Sequence, residues 1–367
     1  MESKENKIRL NIINTQFHYI LYHKGCPDGI AAAWVFYRAK DFQYNQDPSY
    51  TTKYSGIYYS SDNKYEFSIK DENNKYISVD LSSLKNKNIL LLDFSIDKKT
   101  YQTLIDSGCT VFILDHHDSS LELDLSNENI LIDTTRSGCQ IAWDIKHQSL
   151  ERPLLLDYIA DRDMWKFKLP HSEFISAALY FKGYNFDMLE HMYRLQLASV
   201  IQVLNNEKSS FSTEIDNLIS IGETLLKIKH KDLIYSCMSS IWVSFSHSEF
   251  QNSEKIKGLI VFNCKRDIRS DVGSILLNNG KDINELKNKE YILHHEQNNH
   301  INDNVRLPDF VAICFYIYET NEWMISLRSK NINVNDICKL YGGGGHKNAA
   351  GCQLSHDKLK EVFPLLN

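Results

Sequence analysis

Short runs of apolar residues recur along the first half of the chain, and each is followed directly by a polar or acidic residue. Continuous apolar runs of this length predict strands that are buried on both faces of a parallel sheet. The runs lie at residues 19–22, 89–92 and 111–114, and the residues that follow them are His23, Asp93 and Asp115. Because ligands bind at the carboxyl ends of strands in open parallel sheets, these positions are the first candidates for chemistry.

The segments between these runs predict the fold class. Helical patterns at 31–39 and 137–147 alternate with the strands, which predicts an α/β domain with a doubly wound, mainly parallel sheet at about residues 15–185. The polar segment 43–80 interrupts this order. We expect a surface insertion there, with a hairpin around 57–65.

The second half of the chain predicts a helical connector and a smaller α/β domain. Leu218, Ile221, Leu225 and Ile228 recur at helical spacing and form one apolar face. Strands are predicted at 241–245, 259–262, 311–318 and 323–327, and helices at 271–277 and 334–340. We therefore expect a connector over 186–234, a second domain over 235–367, and an active site in the cleft between the two domains.

Composition and charge narrow the class of protein. The 367 residues are 43% hydrophobic and 24% charged, which is typical of a globular chain. A net charge of −6 argues against a general polyanion binder and against long duplex nucleic acid as a partner. No run of about 18 apolar residues predicts a membrane span. The eight scattered cysteines and a polar N-terminus without a signal peptide predict a cytoplasmic protein.

Histidines and carboxylates cluster at the predicted strand ends. The turn after the first strand carries His23, Cys26 and Asp28, and Asp115 is followed by His116 and His117. Imidazole and carboxylate together form the ligand set for Mn²⁺, Zn²⁺ or Fe. Adjacent histidines point to different sides, so we do not expect both to bind one ion. Each carboxylate taken alone also fits a helix cap or a surface charge cluster, and their convergence is the stronger signal.

Two further motifs carry candidate chemistry. Asp161 and Asp163 precede Trp165 near the end of a predicted helix. Residues 342–345 are four consecutive glycines followed by His346. Such a run costs backbone entropy, so we expect it to allow close approach of a ligand, with exposed N–H groups and a following helix N-terminus forming an anion cradle.

The strand that precedes the glycine run ends in two polar residues. Arg328 and Ser329 could add a charge-assisted hydrogen bond to a bound phosphate. We therefore include both in the predicted substrate-binding site.

In this order, these motifs resemble the DHH/DHHA1 phosphoesterase superfamily, and most closely its nano-RNase B-like and RecJ-like branch. The resemblance extends over most of the chain apart from segment 43–80. It implies that the first domain is a DHH catalytic domain and that the second is a DHHA1 substrate-binding domain. It is specific for the superfamily and not for the substrate.

The resemblance also implies a dinuclear metal site in the first domain. Its ligands would be His23, Asp28, Asp93, His116 and Asp161. Asp93 would bridge the two ions, and Asp161 is preferred to Asp163 because its spacing to Trp165 matches the family pattern. Two Mn²⁺ ions are expected, with Mg²⁺ or Zn²⁺ as alternatives.

Other residues take supporting roles in this hypothesis. Asp115 would orient His116, and His117 would face the substrate phosphate and share the catalysis with Asp93 and His116. The terminal phosphate or nucleotide would be held by Gly343, Gly344, Gly345 and His346, together with Arg328.

The first motif departs from the family pattern. Many members have two aspartates there, whereas here Cys26 takes the place of the first, or a one-residue shortening removes it. Either Cys26 serves as a soft ligand or water fills the gap, and a thiolate would favour Zn²⁺.

We therefore predict a Mn²⁺-dependent phosphodiesterase that hydrolyses short oligoribonucleotides or dinucleotides to nucleoside monophosphates. Activity on cyclic mono- or dinucleotides is the main alternative, and polyphosphate hydrolysis is disfavoured. A non-catalytic nucleotide sensor is the alternative if the Cys26 motif cannot hold two metals. The expected partner is a short RNA or dinucleotide, and a homodimer is left open.

Overall fold

The chain divides into two compact units in the computed structural model, Met1–Ser220 and Ile221–Asn367. The structure describes residues 3–38, 52–59, 64–70, 74–117, 120, 121, 123, 126–148, 150–205, 207–247, 255–265, 268–293 and 305–366. Each unit has its own sheet.

The first unit is built on a seven-stranded sheet with the order β4-β3-β2-β1-β5-β6-β7. Its strands are β1 (Tyr19–His23), β2 (Lys53–Tyr59), β3 (Tyr65–Lys70), β4 (Tyr76–Asp80), β5 (Asn88–Leu92), β6 (Thr110–Asp115) and β7 (Ile130–Ile132). The five strands from β2 to β7 in this order pair in parallel, and only the β2–β3 and β3–β4 pairs are antiparallel. The predicted α/β fold with a mainly parallel sheet is confirmed, and so are the three predicted strands.

Both faces of the central strands are buried, as their continuous apolar runs require. Leu21, Ile89 and Val111 pack in one cluster on one face, while Ile20 and Leu90, which alternate with them, are also buried. Polar side chains can therefore be accommodated only where these strands end.

Helices cover this sheet. They are α1 (Lys4–Ile13), α2 (Pro27–Arg38), α3 (Lys98–Asp106), α4 (Gly138–His147), α5 (Leu154–Asp163), α6 (Ser172–Lys182) and α7 (Phe186–Leu204), and the division between the units falls within α8 (Ser210–Met238). α2 packs against α4, and α2 contributes small, fully buried residues such as Ala31 and Ala32. No helix in the described part of the chain is both long and apolar enough to cross a membrane.

The segment 43–80 is only partly the surface insertion that we expected. The predicted hairpin is present, since β2 and β3 pair antiparallel with Ile57 opposite Phe67. However, β2 also pairs in parallel with β1, so the segment extends the main sheet, and Ile57 and Phe67 are fully buried. Alternate polar residues hide this role in the sequence. Residues 43–51, 60–63 and 71–73 lie outside the described residues.

The second unit contains a mixed six-stranded sheet with the order β12-β13-β11-β10-β9-β8. Its strands are β8 (Ile241–Ser244), β9 (Lys257–Phe262), β10 (Phe310–Ile317), β11 (Glu322–Arg328), β12 (Gly344–His346) and β13 (Ala349–Ser355). Its helices are α9 (Arg269–Asn279), α10 (Asn284–Lys287), α11 (Val334–Lys339) and α12 (His356–Val362). Apolar clusters cover both faces of the sheet. The four predicted strands and two predicted helices are present.

The glycine run differs from its predicted structure. We expected a loop that leads into a helix N-terminus, but Gly344–His346 forms β12, which pairs antiparallel with β13. The next helix begins only at His356. Glycine is needed for close packing at position 343, because a Cβ on Gly343 would lie 2.2 Å from the carbonyl oxygen of Gly351.

Candidate metal centre

Parallel pairing brings the predicted strand ends together in the first unit. Tyr22 of β1 is in register with Leu92 of β5, which is in register with Leu114 of β6. The residues that follow these positions, His23, Asp93 and Asp115, therefore lie along one edge of the sheet. This is the convergence that the hydrophobic pattern predicted.

Asp93 is the central residue of this edge. Its carboxylate is 0% exposed, and neither of its oxygens has a partner in hydrogen-bond geometry. Its φ of 54° lies in the left-handed region, which is uncommon for residues other than glycine and often marks a functional site. A buried carboxylate that accepts no hydrogen bond, in a strained backbone, indicates a position kept for another group.

His116 lies between several carboxylates. Its Nε2 atom is 3.1 Å from Oδ1 of Asp93, 3.3 Å from Oδ2 of Asp163 and 3.9 Å from Oδ2 of Asp28. Burial alone would lower the pKa of His116, but these carboxylates raise it. In the absence of a metal ion, a proton on His116 offsets part of the negative charge of these carboxylates. A bound divalent cation would balance the same charge.

The N-terminus of α4 positions Asp28. The Asp28 carboxylate is 0% exposed and accepts hydrogen bonds from Ser137 Oγ at 2.8 Å and from the backbone N–H groups of Gly138 and Cys139 at 2.5 and 3.0 Å. Burial, together with the neighbouring charges of Asp93 and Asp163, nevertheless raises the pKa of Asp28. The helix terminus fixes the direction of the carboxylate without removing the excess of negative charge.

Two glycines allow this close packing. A Cβ on Gly138 would lie 2.6 Å from Cβ of Asp93 and 2.9 Å from Oδ2 of Asp28. A Cβ on Gly29 would lie 2.8 Å from the carbonyl oxygen of His23. These distances are shorter than real Cβ contacts allow, so the site requires glycine at both positions.

Asp163, and not Asp161, lies beside His116. Asp161 is turned towards the loop that follows α5, where its carboxylate accepts hydrogen bonds from the backbone N–H groups of Lys168 and Leu169 at 2.9 and 3.1 Å. Residues two apart on a helix project from different faces, so only one of the pair can reach the site. The preference for Asp161, which rested on its spacing to Trp165, is reversed by this geometry.

Asp115 orients His117 rather than the ring of His116. Its carboxylate lies 2.7 Å from Nδ1 of His117, and it also accepts from the hydroxyls of Ser95 and Ser120 and from the backbone N–H of His116. Burial opposes the charged form of Asp115, but these donors together lower its pKa. The hydrogen bond to Asp115 raises the pKa of His117, which favours a cationic imidazole at the site.

The potential ligand atoms fall into three overlapping groups. Within each group the atoms lie within 4.8 Å of one another, and the groups found among the residues that the structure describes are His23–Cys26–Asp93, Asp28–His116–Asp163 and Asp93–Asp115–His116–His117. Asp93 and His116 each belong to two groups. Among the potential ligand atoms of these groups, Nδ1 of His23, Nε2 of His116 and both oxygens of Asp93 are buried and make no hydrogen bond. These residues fit divalent cations, because a cation that displaces the His116 proton would meet ionised carboxylates and neutral imidazole nitrogens, which are its usual donors.

A cavity of about 580 Å³ opens beside this centre. His23 and His117 line it on the side of the centre, and Tyr65, Phe94, Lys98 and Lys99 line it elsewhere, together with Asp97, which caps α3. The sequence patterns singled out His23 and His117 but not the other lining residues. An aromatic residue directly after Asp93 and a Lys-Lys pair at the start of a helix were the available signals.

The predicted substrate-binding residues of the second unit differ in burial and in contacts. The Ser329 side chain is 3% exposed, and its hydroxyl donates to the carbonyl of Asp309 at 2.7 Å and accepts from the N–H groups of Asn331 and Ile332. It therefore holds a turn, which corrects its predicted role. A Cβ on Gly344 would meet nothing closer than 3.8 Å.

Arg328 lies next to a second arginine that the sequence did not single out. Burial and the nearby Arg269, at the start of α9, both lower the pKa of Arg328. Ala349 of β13 pairs with Arg328 on one side and with His346 on the other. The side chain of His346 and the surroundings of Gly345 lie outside the described part of the structure.

Comparison with known proteins finds similar proteins that match very different shares of this chain. The uncharacterised protein R106 of Acanthamoeba polyphaga mimivirus is 25% identical over 355 residues, which cover 95% of this chain and 70% of R106. The bifunctional oligoribonuclease and PAP phosphatase NrnA of Mycoplasma genitalium is 45% identical over 53 residues, only 14% of this chain and 17% of NrnA. RecJ from Thermus thermophilus in complex with Mn²⁺ is 12% identical, with a TM-score of 0.43, and the alignment covers 96% of this chain and 52% of RecJ.

One family model matches the C-terminal part of the chain. Residues 299–367 match the DHHA1 domain, in the region that contains the glycine run and β13. The Asp115-His116-His117 element and the carboxylates around it lie in the first unit, in the order that the sequence resemblance requires. The DHHA1 match and the short NrnA match support the resemblance of this chain to the DHH/DHHA1 phosphoesterase superfamily.

Proposed function

We propose that this protein is a divalent-metal-dependent phosphodiesterase that hydrolyses short oligoribonucleotides or dinucleotides to nucleoside monophosphates. The observation that carries the proposal is Asp93. Both of its buried oxygens lack a hydrogen bond, and it belongs to two of the ligand groups. A carboxylate shared in this way suits a pair of cations, and Mn²⁺ fits the imidazole and carboxylate donors.

Two cations at such a site would neutralise phosphate charge and lower the pKa of water, which supplies a nucleophile at neutral pH. The residues of the chain prepare for this chemistry. The N-terminus of α4 holds Asp28, and Asp115 holds the ring of His117. His117 lines the cavity, and we propose that it binds a non-bridging phosphate oxygen of the substrate.

The cavity supports a nucleotide over a polyphosphate as the substrate. The Tyr65 and Phe94 rings lie 5.9 Å apart and supply apolar surface against which a base can pack. Lys98 and Lys99 are exposed at the start of α3 and can bind phosphate. A polyphosphate would use the lysines but not the aromatic wall. The NrnA relative, named as an oligoribonuclease and PAP phosphatase, supports the same substrate class.

The second unit is proposed to bind the end of the substrate. Gly343, Gly344, Gly345 and His346 would contact a terminal phosphate with Arg328. Burial and the charge of Arg269 both lower the pKa of Arg328, so a bound anion would stabilise the charged form of Arg328. In this proposal, anchoring one phosphate would select substrates of a few nucleotides.

The test is a panel of substrates incubated with the protein and Mn²⁺. Short RNAs, linear dinucleotides, cyclic dinucleotides and polyphosphate are compared side by side, with the Asp93→Asn variant as the control. We expect release of nucleoside monophosphates from the linear dinucleotides and short RNAs, and loss of this activity in Asp93→Asn. Activity on polyphosphate alone, or wild-type turnover in Asp93→Asn, would contradict the proposal.

A further inference from the structure

We propose that Cys26 is a thiolate ligand of one of the two cations, and that its position selects a softer cation than the neighbouring position. The inference rests on the proposed dinuclear centre and goes beyond it, because it assigns different chemistry to the two positions. It also assigns a role to the residue at which the chain departs from its family's pattern.

The sulfur of Cys26 lies among the potential ligand atoms of the candidate metal centre. Gly25 turns the chain after β1 with a φ of 74°, and the Cys26 N–H donates to the carbonyl of His23 at 3.4 Å. Sγ of Cys26, a ring nitrogen of His23 and a carboxylate oxygen of Asp93 all lie within 4.8 Å of one another. Two of these residues supply atoms that lack any hydrogen-bond partner, His23 through Nδ1 and Asp93 through both oxygens.

The surroundings of Cys26 are unlike those of a structural cysteine. Of the eight cysteines, Cys26 is the one that is not buried. Cys109, for comparison, is buried in the apolar cluster of the first sheet. The thiol of Cys26 has carboxylates as neighbours, and it makes a long contact of 4.0 Å with Oδ1 of Asp163. Apolar packing therefore does not explain a cysteine at this position.

The donor sets of the two positions differ. His23, Cys26 and Asp93 offer nitrogen, sulfur and oxygen, whereas Asp28, His116 and Asp163 offer only nitrogen and oxygen. Sulfur donors favour Zn²⁺, Cd²⁺ or Co²⁺ over Mn²⁺, which prefers oxygen. Binding at the first position replaces the thiol proton with the cation: the S–H bond breaks, an S–metal bond forms, and the proton leaves to solvent.

The experiment is a Cd²⁺ titration of the full-length, metal-free protein, followed by ultraviolet absorption of the thiolate-to-cadmium charge-transfer band. We expect the wild type and the matched control Cys109→Ala to develop the band with a single thiolate per chain, and Cys26→Ala and Cys26→Asp to lack it. Cys26→Asp should also shift the Zn²⁺ to Mn²⁺ affinity ratio towards Mn²⁺ by at least about tenfold, as measured by equilibrium dialysis. A band that survives in Cys26→Ala, or no band in a wild type that binds Cd²⁺, would overturn the proposal.

A second measurement needs no variant. Alkylation of the metal-free wild type, mapped by peptide mass spectrometry, should modify Cys26, and Zn²⁺ or Cd²⁺ should protect it, while Mg²⁺ should not. Equal labelling with and without Zn²⁺ would overturn the assignment. Both measurements are independent of turnover, so a protein that shows the Cd²⁺ band and hydrolyses no nucleotide would contradict the proposed function and leave the Cys26 site intact.

Discussion

Asp93 combines two costs that a folded protein usually avoids. A buried carboxylate that accepts no hydrogen bond costs on the order of 1–3 kcal/mol for each unsatisfied atom, less what the contact with Nε2 of His116 offsets. The left-handed backbone costs about 1–3 kcal/mol more. The fold accepts both at one residue, directly after a strand whose last four side chains are buried and apolar. This concentration of cost indicates a position kept for binding.

Single residues were predicted with uneven success. His23, Asp28, Asp93 and His116 lie together as expected, because each follows or adjoins a strand end. The choice between Asp161 and Asp163 was not predictable from spacing alone. Both are on the last turns of α5, and which one faces the centre depends on the helix rotation that packing sets.

This pair of aspartates gives a direct prediction. Asp163→Asn should reduce turnover at least about 100-fold with an unchanged melting temperature, because it removes a metal-facing charge. Asp161→Asn should keep most of its turnover but lose about 1–3 kcal/mol of stability, because it weakens the hydrogen bonds to Lys168 and Leu169. Steady-state kinetics and thermal denaturation of both variants check this. The reverse pattern would restore Asp161 as the ligand.

Among the elements, the strand ends were visible in the sequence and the supporting helix terminus was not. Apolar runs that stop at a polar residue mark a strand end without any knowledge of the fold. The N-terminus of α4 reaches Asp28 across 110 residues of sequence, and only the folded chain brings Gly138 to it. Gly138 carries no local signal of this role, since its partner Asp28 lies far away in the sequence.

The packing of α4 predicts a specific effect of Gly138→Ala. The added methyl group would displace the Asp93 and Asp28 side chains, since it would lie 2.6 Å from Cβ of Asp93. We expect the affinity for Mn²⁺, measured by calorimetry, to fall by about 10- to 100-fold. Gly344→Ala is the matched control, because its methyl group has no neighbour closer than 3.8 Å, and it should leave Mn²⁺ affinity unchanged. Equal Mn²⁺ affinity in Gly138→Ala and the wild type would show that α4 does not set the geometry of the centre.

For the whole molecule, the order of strands and helices was predictable, whereas the extent of the first sheet was not. The central parallel strands are visible in the sequence as apolar runs. In β2, β3 and β4, by contrast, apolar and polar residues alternate, so these strands resemble a surface segment. The hairpin formed by β12 and β13 was missed for a related reason. Its strands contain glycine and alanine, which have low strand propensity, and close packing compensates for this.

The overall charge of the chain bears on the size of its substrate. A net charge of −6 offers no general attraction for nucleic acid. We expect no measurable binding of long duplex DNA at physiological salt by fluorescence anisotropy, under conditions in which a linear dinucleotide is hydrolysed. Tight, salt-dependent binding of the duplex would indicate a processive nuclease instead.

The most direct test of the metal centre is an anomalous difference map from crystals that contain Mn²⁺ and Zn²⁺. We predict two cations, one on either side of the Asp93 carboxylate, with His23 and Cys26 on one and Asp28, His116 and Asp163 on the other. A map without a cation bound to Asp93, or with one bound through Asp161, would contradict the account.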